Sequence, residues 1–233
     1  MTVILDKPHR KNGPSVYERE IRSAVVQKFR DMRPNGRVVH ELNSAGTGSI
    51  RFDVACVSRA EILICEIKSK LDKLDRLEHQ IPAMDLCGHR TIVAFDEKFL
   101  DERKSNPDAM THEREGEPHI WAVPDMIGRK ATSWVYPERQ RGGRYSKWHW
   151  QMPDPAIQKP LSGSALHMLW RDELLELCRT FKIATGKRPN RSILIAAILW
   201  GCSGEQITKG ICWTLRKRVF AEADAPLDEE LKI

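Results

Sequence analysis

Hydrophobic and polar positions alternate along this chain in two distinct periods. From Ser15, "SVYEREIRSAVVQKFRDM" places Tyr17, Ile21, Val25, Phe29 and Met32 on one helical stripe. Pro14 and Ser15 open that helix, and Pro34, Asn35 and Gly36 close it. The period then drops to two. "RVVHELN" predicts a short strand, and "IRFDVACV" and "EILICEIK" predict two more, turned at Ser58-Arg59-Ala60. "LDKLDRLEHQIPAMDL" returns to helical spacing through Leu71, Leu74, Leu77 and Ile81, with Pro82 expected to kink or divide it. "RTIVAF" follows the Gly88 break as a buried strand. Helix, three strands, helix, strand predicts an α/β fold: a mixed sheet covered by helices on both faces.

Beyond Asp96 the pattern weakens. Residues 96–119 read as charged loop, and "HIWAVPD" and "KATSWVYPE" as two further strands. "MPDPAIQKPLSG" reads as a linker, dividing a first domain, 1–155, from a helical domain, 161–233. That second domain is expected to hold helices at Ala165–Phe181, Arg191–Gly201 and Gly204–Phe220, with Ser203 and Gln206 at the last helix's start. "ILIAAILWG" is apolar nearly all round, so the middle helix is expected at the domain's centre.

Composition narrows the class. With 41% hydrophobic and 30% charged residues, the chain is globular rather than disordered. No apolar run reaches the roughly 18–20 residues of a membrane span. The opening "MTVILDKPHRK" has too short an apolar start for a secretion signal, and the six cysteines contain no CxxC pair. Reduced thiols in a cytoplasmic protein are expected. The net charge of +6 favours an anionic partner.

Three charged residues interrupt the strands. Strand alternation puts Ile62, Ile64, Glu66 and Lys68 on one face, and sets Asp53 opposite Phe52 and Val54. If the two strands form a hairpin, Asp53 stands beside Glu66. Paired carboxylates repel unless a cation joins them, and hard oxygen ligands suit Mg²⁺ or Mn²⁺. The same three residues also fit an ordinary salt-bridged cluster at a strand end. Glu18 points into the first helix's apolar stripe. It reads either as a fourth site carboxylate or as the return half of a capping box with Ser15. Glu41 is a spare carboxylate on the neighbouring strand, lining the same cleft or simply solvated.

Asp53 followed by Glu66-Ile67-Lys68, inside that element order, resembles the PD-(D/E)xK nuclease superfamily over residues 15–95. The small VRR-NUC and MmcB-like members are the most similar. Phe52 stands where the name pattern has Pro. The resemblance implies a restriction-endonuclease-like core and a Mg²⁺- or Mn²⁺-dependent deoxyribonuclease acting in DNA repair, recombination or phage DNA processing. It implies that Asp53, Glu66 and the Ile67 carbonyl ligate metal and that Lys68 positions the attacking water. Glu18 and Gln80 complete the catalytic set. The alternative is a DNA-binding or regulatory protein that keeps the fold without the chemistry.

Arg51 and Arg76 are candidate phosphate contacts, Arg76 lying four residues before Gln80 on one helix face. The segment "RQRGGRYSKWHW" interleaves bases and aromatics, so Arg141, Arg144, Lys147 and Trp148 are candidate nucleic-acid contacts. An ordinary loop with packed tryptophans is the alternative. Around Gly201–Gly204 the last two helices read either as helix-turn-helix-like or as plain packing, with Arg216, Lys217 and Arg218 at the end. The expected partner is DNA, single-stranded or branched, and pairing of two chains through the C-terminal helices is a further expectation.

Overall fold

The computed structural model describes residues 14–44, 50–138, 149–151 and 159–231. Helix α1 spans Val16–Met32, and Ser15 caps it by accepting the Glu18 N–H at 3.1 Å. The strands β1 (Arg37–Asn43), β2 (Arg51–Val57) and β3 (Ile62–Lys68) follow, then α2 (Leu77–Cys87) and β4 (Arg90–Asp96). Three short strands, β5 (Asp101–Lys104), β6 (His112–Arg114) and β7 (Glu117–Ala122), form a separate sheet in the order β5-β7-β6. The one-turn α3 (Asp125–Gly128) leads into β8 (Thr132–Tyr136), which completes a five-stranded sheet ordered β1-β2-β3-β4-β8. The first two pairings are antiparallel and the last two parallel, so the sheet is mixed.

Each face of this sheet carries its own core. On one, Ile21, Val25 and Phe29 of α1 meet Val54, Leu63, Cys65 and Trp134. Gly36 makes the corner between α1 and β1 possible, because a Cβ there would meet the Cys56 sulfur at 2.5 Å. On the other face lie α2 and, after a 3₁₀ turn at Gly163–Met168, helices α4 (Arg171–Thr180), α5 (Arg191–Gly201) and α6 (Gly204–Lys217). Leu166, Leu174, Leu177, Ile198 and Ile211 share one buried cluster with Val39, Phe52, Ala55, Ile62 and Ile64. The C-terminal helices are therefore a layer on the sheet, and the expected boundary at 155–161 does not divide the core.

Several expectations change in detail. Helix α2 begins at Leu77, not Leu71; Ser69 and Asp72 close a turn instead, with both the Ser69 N–H and Oγ–H donating to the Asp72 carboxylate. Pro82 sits inside α2 without dividing it. Residues 101–104 and 112–114 are strands, not loop. The helix expected from Ala165 is instead the 3₁₀ turn followed by α4. Helix α5 is peripheral: Leu194, Ile195 and Ile198 face inward, while Trp200 is 94% exposed and Ile193 and Leu199 are also exposed. Among the described residues no helix is long and apolar enough to cross a membrane.

Candidate functional site

The local structure that builds the site is a break in the sheet. The β2–β3 ladder ends at Val54 opposite Cys65, while β3 stays paired with β4 as far as Lys68 opposite Phe95. Past Val54 the Ile67 N–H loses its strand partner, and the Asp53 carboxylate takes it through Oδ2 at 2.8 Å. Here β2 also departs from strict alternation. Phe52 packs on the α2 side of the sheet and Val54 on the α1 side, contrary to the expected shared face. Glu41, opposite on β1, has φ of 54°, a left-handed conformation that non-glycine residues seldom adopt and that clusters at functional sites.

The splayed strands open a cleft of about 1050 Å³, lined among others by Glu41, Arg51, Asp53, Glu66, Lys68 and Gln80. Asp53 and Glu66 thus reach the same cleft, from adjacent strands, together with Lys68. Glu66, Lys68 and Gln80 form a closed triangle. Lys68 Nζ donates to Glu66 Oε1 and to Gln80 Oε1, both at 2.9 Å, and Gln80 Nε2 donates to Glu66 Oε1 at 2.5 Å. Gln80 arrives there because α2 lies over the face that Glu66 and Lys68 share. Glu66 Oε2, by contrast, is buried without a hydrogen-bond partner among the described residues.

Asp53 is held by a residue that the sequence pattern did not mark. Arg22, buried on α1, donates from Nη2 to Glu18 Oε1 at 2.8 Å, Glu41 Oε1 at 3.2 Å and Asp53 Oδ1 at 3.4 Å. Its Nη1 donates to the Asp53 backbone carbonyl at 2.6 Å. The available signal was its place four residues after Glu18 on the same helical face. Glu18 therefore reaches the site through Arg22, and Ser15 caps its backbone as well, so both readings of Glu18 apply in part.

Burial governs the charges. Desolvation, followed by the charge of Glu66, holds the Asp53 carboxyl well above the usual carboxylate range. Desolvation raises Glu66 as well, against the opposing pull of Lys68 and Gln80. Arg22 is raised: burial works to lower it, but Asp53, Glu18 and Glu41 together outweigh burial.

Arg51 and Arg76 both line the cleft. Arg51 lies 4.0 Å from Glu41 Oε2, and Arg76 is the residue that caps α2. Arg141, Arg144, Lys147 and Trp148 lie outside the described residues. Trp150 from the same segment is core: it stacks on Trp134 at 4.8 Å and donates its indole N–H to the Val135 carbonyl at 2.7 Å. The basic end of α6 is structural. Arg216 donates to the carbonyls of Asn35 and Val57, and Arg218 to Glu173 and the Met168 carbonyl. Helix α6 buries Ile207, Ile211 and Leu215 against the sheet, so it is not a free recognition helix.

Among the described residues no group of three or more His, Cys, Asp or Glu side chains is arranged as a ready metal cage. Arg22 occupies the centre of the acidic cluster instead. The donors at the cleft nevertheless fit one hard cation. Two carboxylates converge there, one oxygen of Glu66 has no hydrogen-bond partner among the described residues, and Mg²⁺ commonly takes its remaining ligands from water and substrate. The chain matches no protein-family model, no curated protein and no solved structure.

Proposed function

We propose that the protein is a metal-dependent nuclease of the PD-(D/E)xK type, hydrolysing DNA phosphodiester bonds in the cleft at the end of β3. The observation that carries this reading is the convergence of Asp53, Glu66 and Lys68 on one polar cleft, with Glu66 Oε2 buried and unpartnered among the described residues. A bound Mg²⁺ or Mn²⁺ would acidify a water and neutralise charge on the phosphoryl group. Asp53 and Glu66 hold the cation with the Ile67 carbonyl. Lys68 orients the water, and its ammonium stabilises the phosphoryl oxygens as charge develops. Gln80 keeps Lys68 and Glu66 in register. Arg51 and Arg76 offer phosphate contacts at the mouth of the cleft.

The test is plasmid nicking with Mg²⁺, Mn²⁺ or EDTA. Asp53→Ala and Lys68→Ala are expected to reduce metal-dependent cleavage by about 100-fold or more. Undiminished cleavage in both variants would show that the site is misassigned. A second reading, a DNA-binding protein on a nuclease-like fold, is favoured by one fact. Arg22 and Lys68 already neutralise Asp53 and Glu66 from within. DNA retention in EDTA with no cleavage in either metal is the outcome that selects it.

A further inference from the structure

We infer that Arg22 is a built-in occupant of the candidate metal site, a positioning residue whose partition between Asp53 and Glu18 sets how readily a divalent cation enters. This rests on the metal-site reading above and adds a control element to it.

Asp53 and Glu66 together present four carboxylate oxygens at the cleft. Asp53 Oδ2 is taken by the Ile67 N–H and Oδ1 by Arg22, whereas Glu66 Oε1 is taken by Lys68 and Gln80. Among the described residues, only Glu66 Oε2 of these four oxygens has no hydrogen-bond partner. A cation that bridges the two residues must therefore share or displace the contact between Arg22 and Asp53 Oδ1. That contact is the longest of the three that Arg22 makes to carboxylates, at 3.4 Å, against 2.8 Å to Glu18 and 3.2 Å to Glu41. The guanidinium is thus already seated mainly on Glu18, with Glu41 beside it. Releasing Asp53 Oδ1 leaves it paired with two carboxylates, so no buried charge is stranded.

The second hold is different. Arg22 Nη1 bonds the Asp53 main-chain carbonyl at 2.6 Å, at the point where the β2–β3 ladder has ended. That bond keeps Asp53 at the cleft while Nη2 lets go. One side chain thereby does two opposed things: it orients the ligand-bearing residue, and it competes with the cation for one of its oxygens. Glu18 acts through Arg22, by drawing Nη2 away from Asp53.

The experiment measures Mn²⁺ binding to the full chain in the absence of DNA, by electron paramagnetic resonance of free Mn²⁺. Wild type, Arg22→Met, Glu18→Gln and the double variant are compared, with circular dichroism confirming that each is folded. Removing the competing cation is expected to tighten Mn²⁺ binding roughly tenfold in Arg22→Met, a change within the range of coupled charge pairs. Glu18→Gln is expected to weaken binding severalfold, because Arg22 then leans on Asp53, and to have no effect when Arg22 is already Met. A residue that only stabilised the fold would weaken binding in both single variants.

If wild type binds Mn²⁺ but Arg22→Met binds no more tightly, the competition is refuted and the metal site stands. If Glu18→Gln weakens binding equally with and without Arg22, Glu18 touches the cation directly and its assignment through Arg22 is wrong. If no variant binds Mn²⁺, the metal-site reading and this inference fall together. If Arg22→Met does not fold, the direction of the Glu18→Gln effect decides: tighter or unchanged binding refutes the inference.

Discussion

His89 is half-buried beside the sheet with its Nδ1 accepting the Ile62 N–H at 3.0 Å, which fixes that nitrogen in its unprotonated form. Its Nε2 is buried without a partner among the described residues. Desolvation holds its pKa below the ordinary histidine value. The unfolded chain therefore takes up a proton as pH falls through about 6.5 while the fold still resists it. His40 is shifted the same way, again chiefly by burial. The stability these two histidines contribute is expected to be full above about pH 7 and to be lost as pH falls below about 6.5, at no more than about 1.4 kcal/mol per pH unit for each proton. The raised carboxyls of Asp53 and Glu66 act in the opposite direction. Urea unfolding at several pH values checks this, and His89→Gln should flatten the slope; an unchanged slope would remove His89 as the cause. Residues of this kind show what a sequence pattern conveys and what it omits. Asp53, Glu66 and Lys68 stood out because they break apolar strands. Arg22 did not, since an arginine on a helix reads as solvated until the partners it faces from other strands are known. Glu41 was legible as a carboxylate that could line the cleft, and it does, but its left-handed backbone conformation is announced by no neighbouring residue.

Elements were legible where apolar residues follow a regular course. Helix α1 shows one buried face at helical spacing, and β2, β3 and β4, buried on both faces, show as short apolar runs, so these spans fall within a residue or two of expectation. Strand β5, "DERK", has no buried position at all, so its sequence carries no alternation to read. Residues 71–76 misled for the opposite reason. Leu71 and Leu74 mimic helical spacing, but the Ser69–Asp72 side-chain bonds offer the backbone a turn in place of the first helical turns. In α5 the uniform apolar pattern hid which face is inward. The difference is measurable: Ile198→Ala should destabilise by about 2–5 kcal/mol, as a fully buried residue in the shared core. Trp200→Ser should change stability by no more than about 0.5 kcal/mol, because Trp200 is almost wholly exposed. Denaturant melts of the two variants decide it, and a large loss for Trp200→Ser would contradict the placement of α5 at the periphery.

At the scale of the whole molecule, the C-terminal third acts as structure for the site-bearing sheet. Residues 161–215 supply 15 of the 25 buried residues in the cluster that covers Val39, Phe52, Ala55, Ile62 and Ile64. The join is polar as well as apolar. Arg37 of β1 is buried and donates to the carbonyls of Leu215, Arg216 and Arg218 at 2.7–2.9 Å, and to that of Asp224 at 3.0 Å. It closes the C-terminal end of α6, where a cation is favoured by the helix dipole. Desolvation, partly offset by Asp224, pushes its pKa down to about 10, so the guanidinium remains charged at neutral pH. The tail returns to the sheet too: Asp224 accepts the Val38 N–H at 2.9 Å and pairs with Arg30 at 2.8 Å. A fragment ending at residue 160 would expose to water the part of the β1–β3 face that the C-terminal helices cover, and strand Arg37 without its carbonyls. It is expected to lose the cooperative transition of the full chain, bind a hydrophobic dye and yield rapidly to protease. Loss of DNA binding on such truncation would then report loss of the fold, not removal of a DNA-binding module. A fragment 1–160 that melts cooperatively near the full-length midpoint would mean that the two parts hold separate cores, against the packing seen across the β1–β3 face.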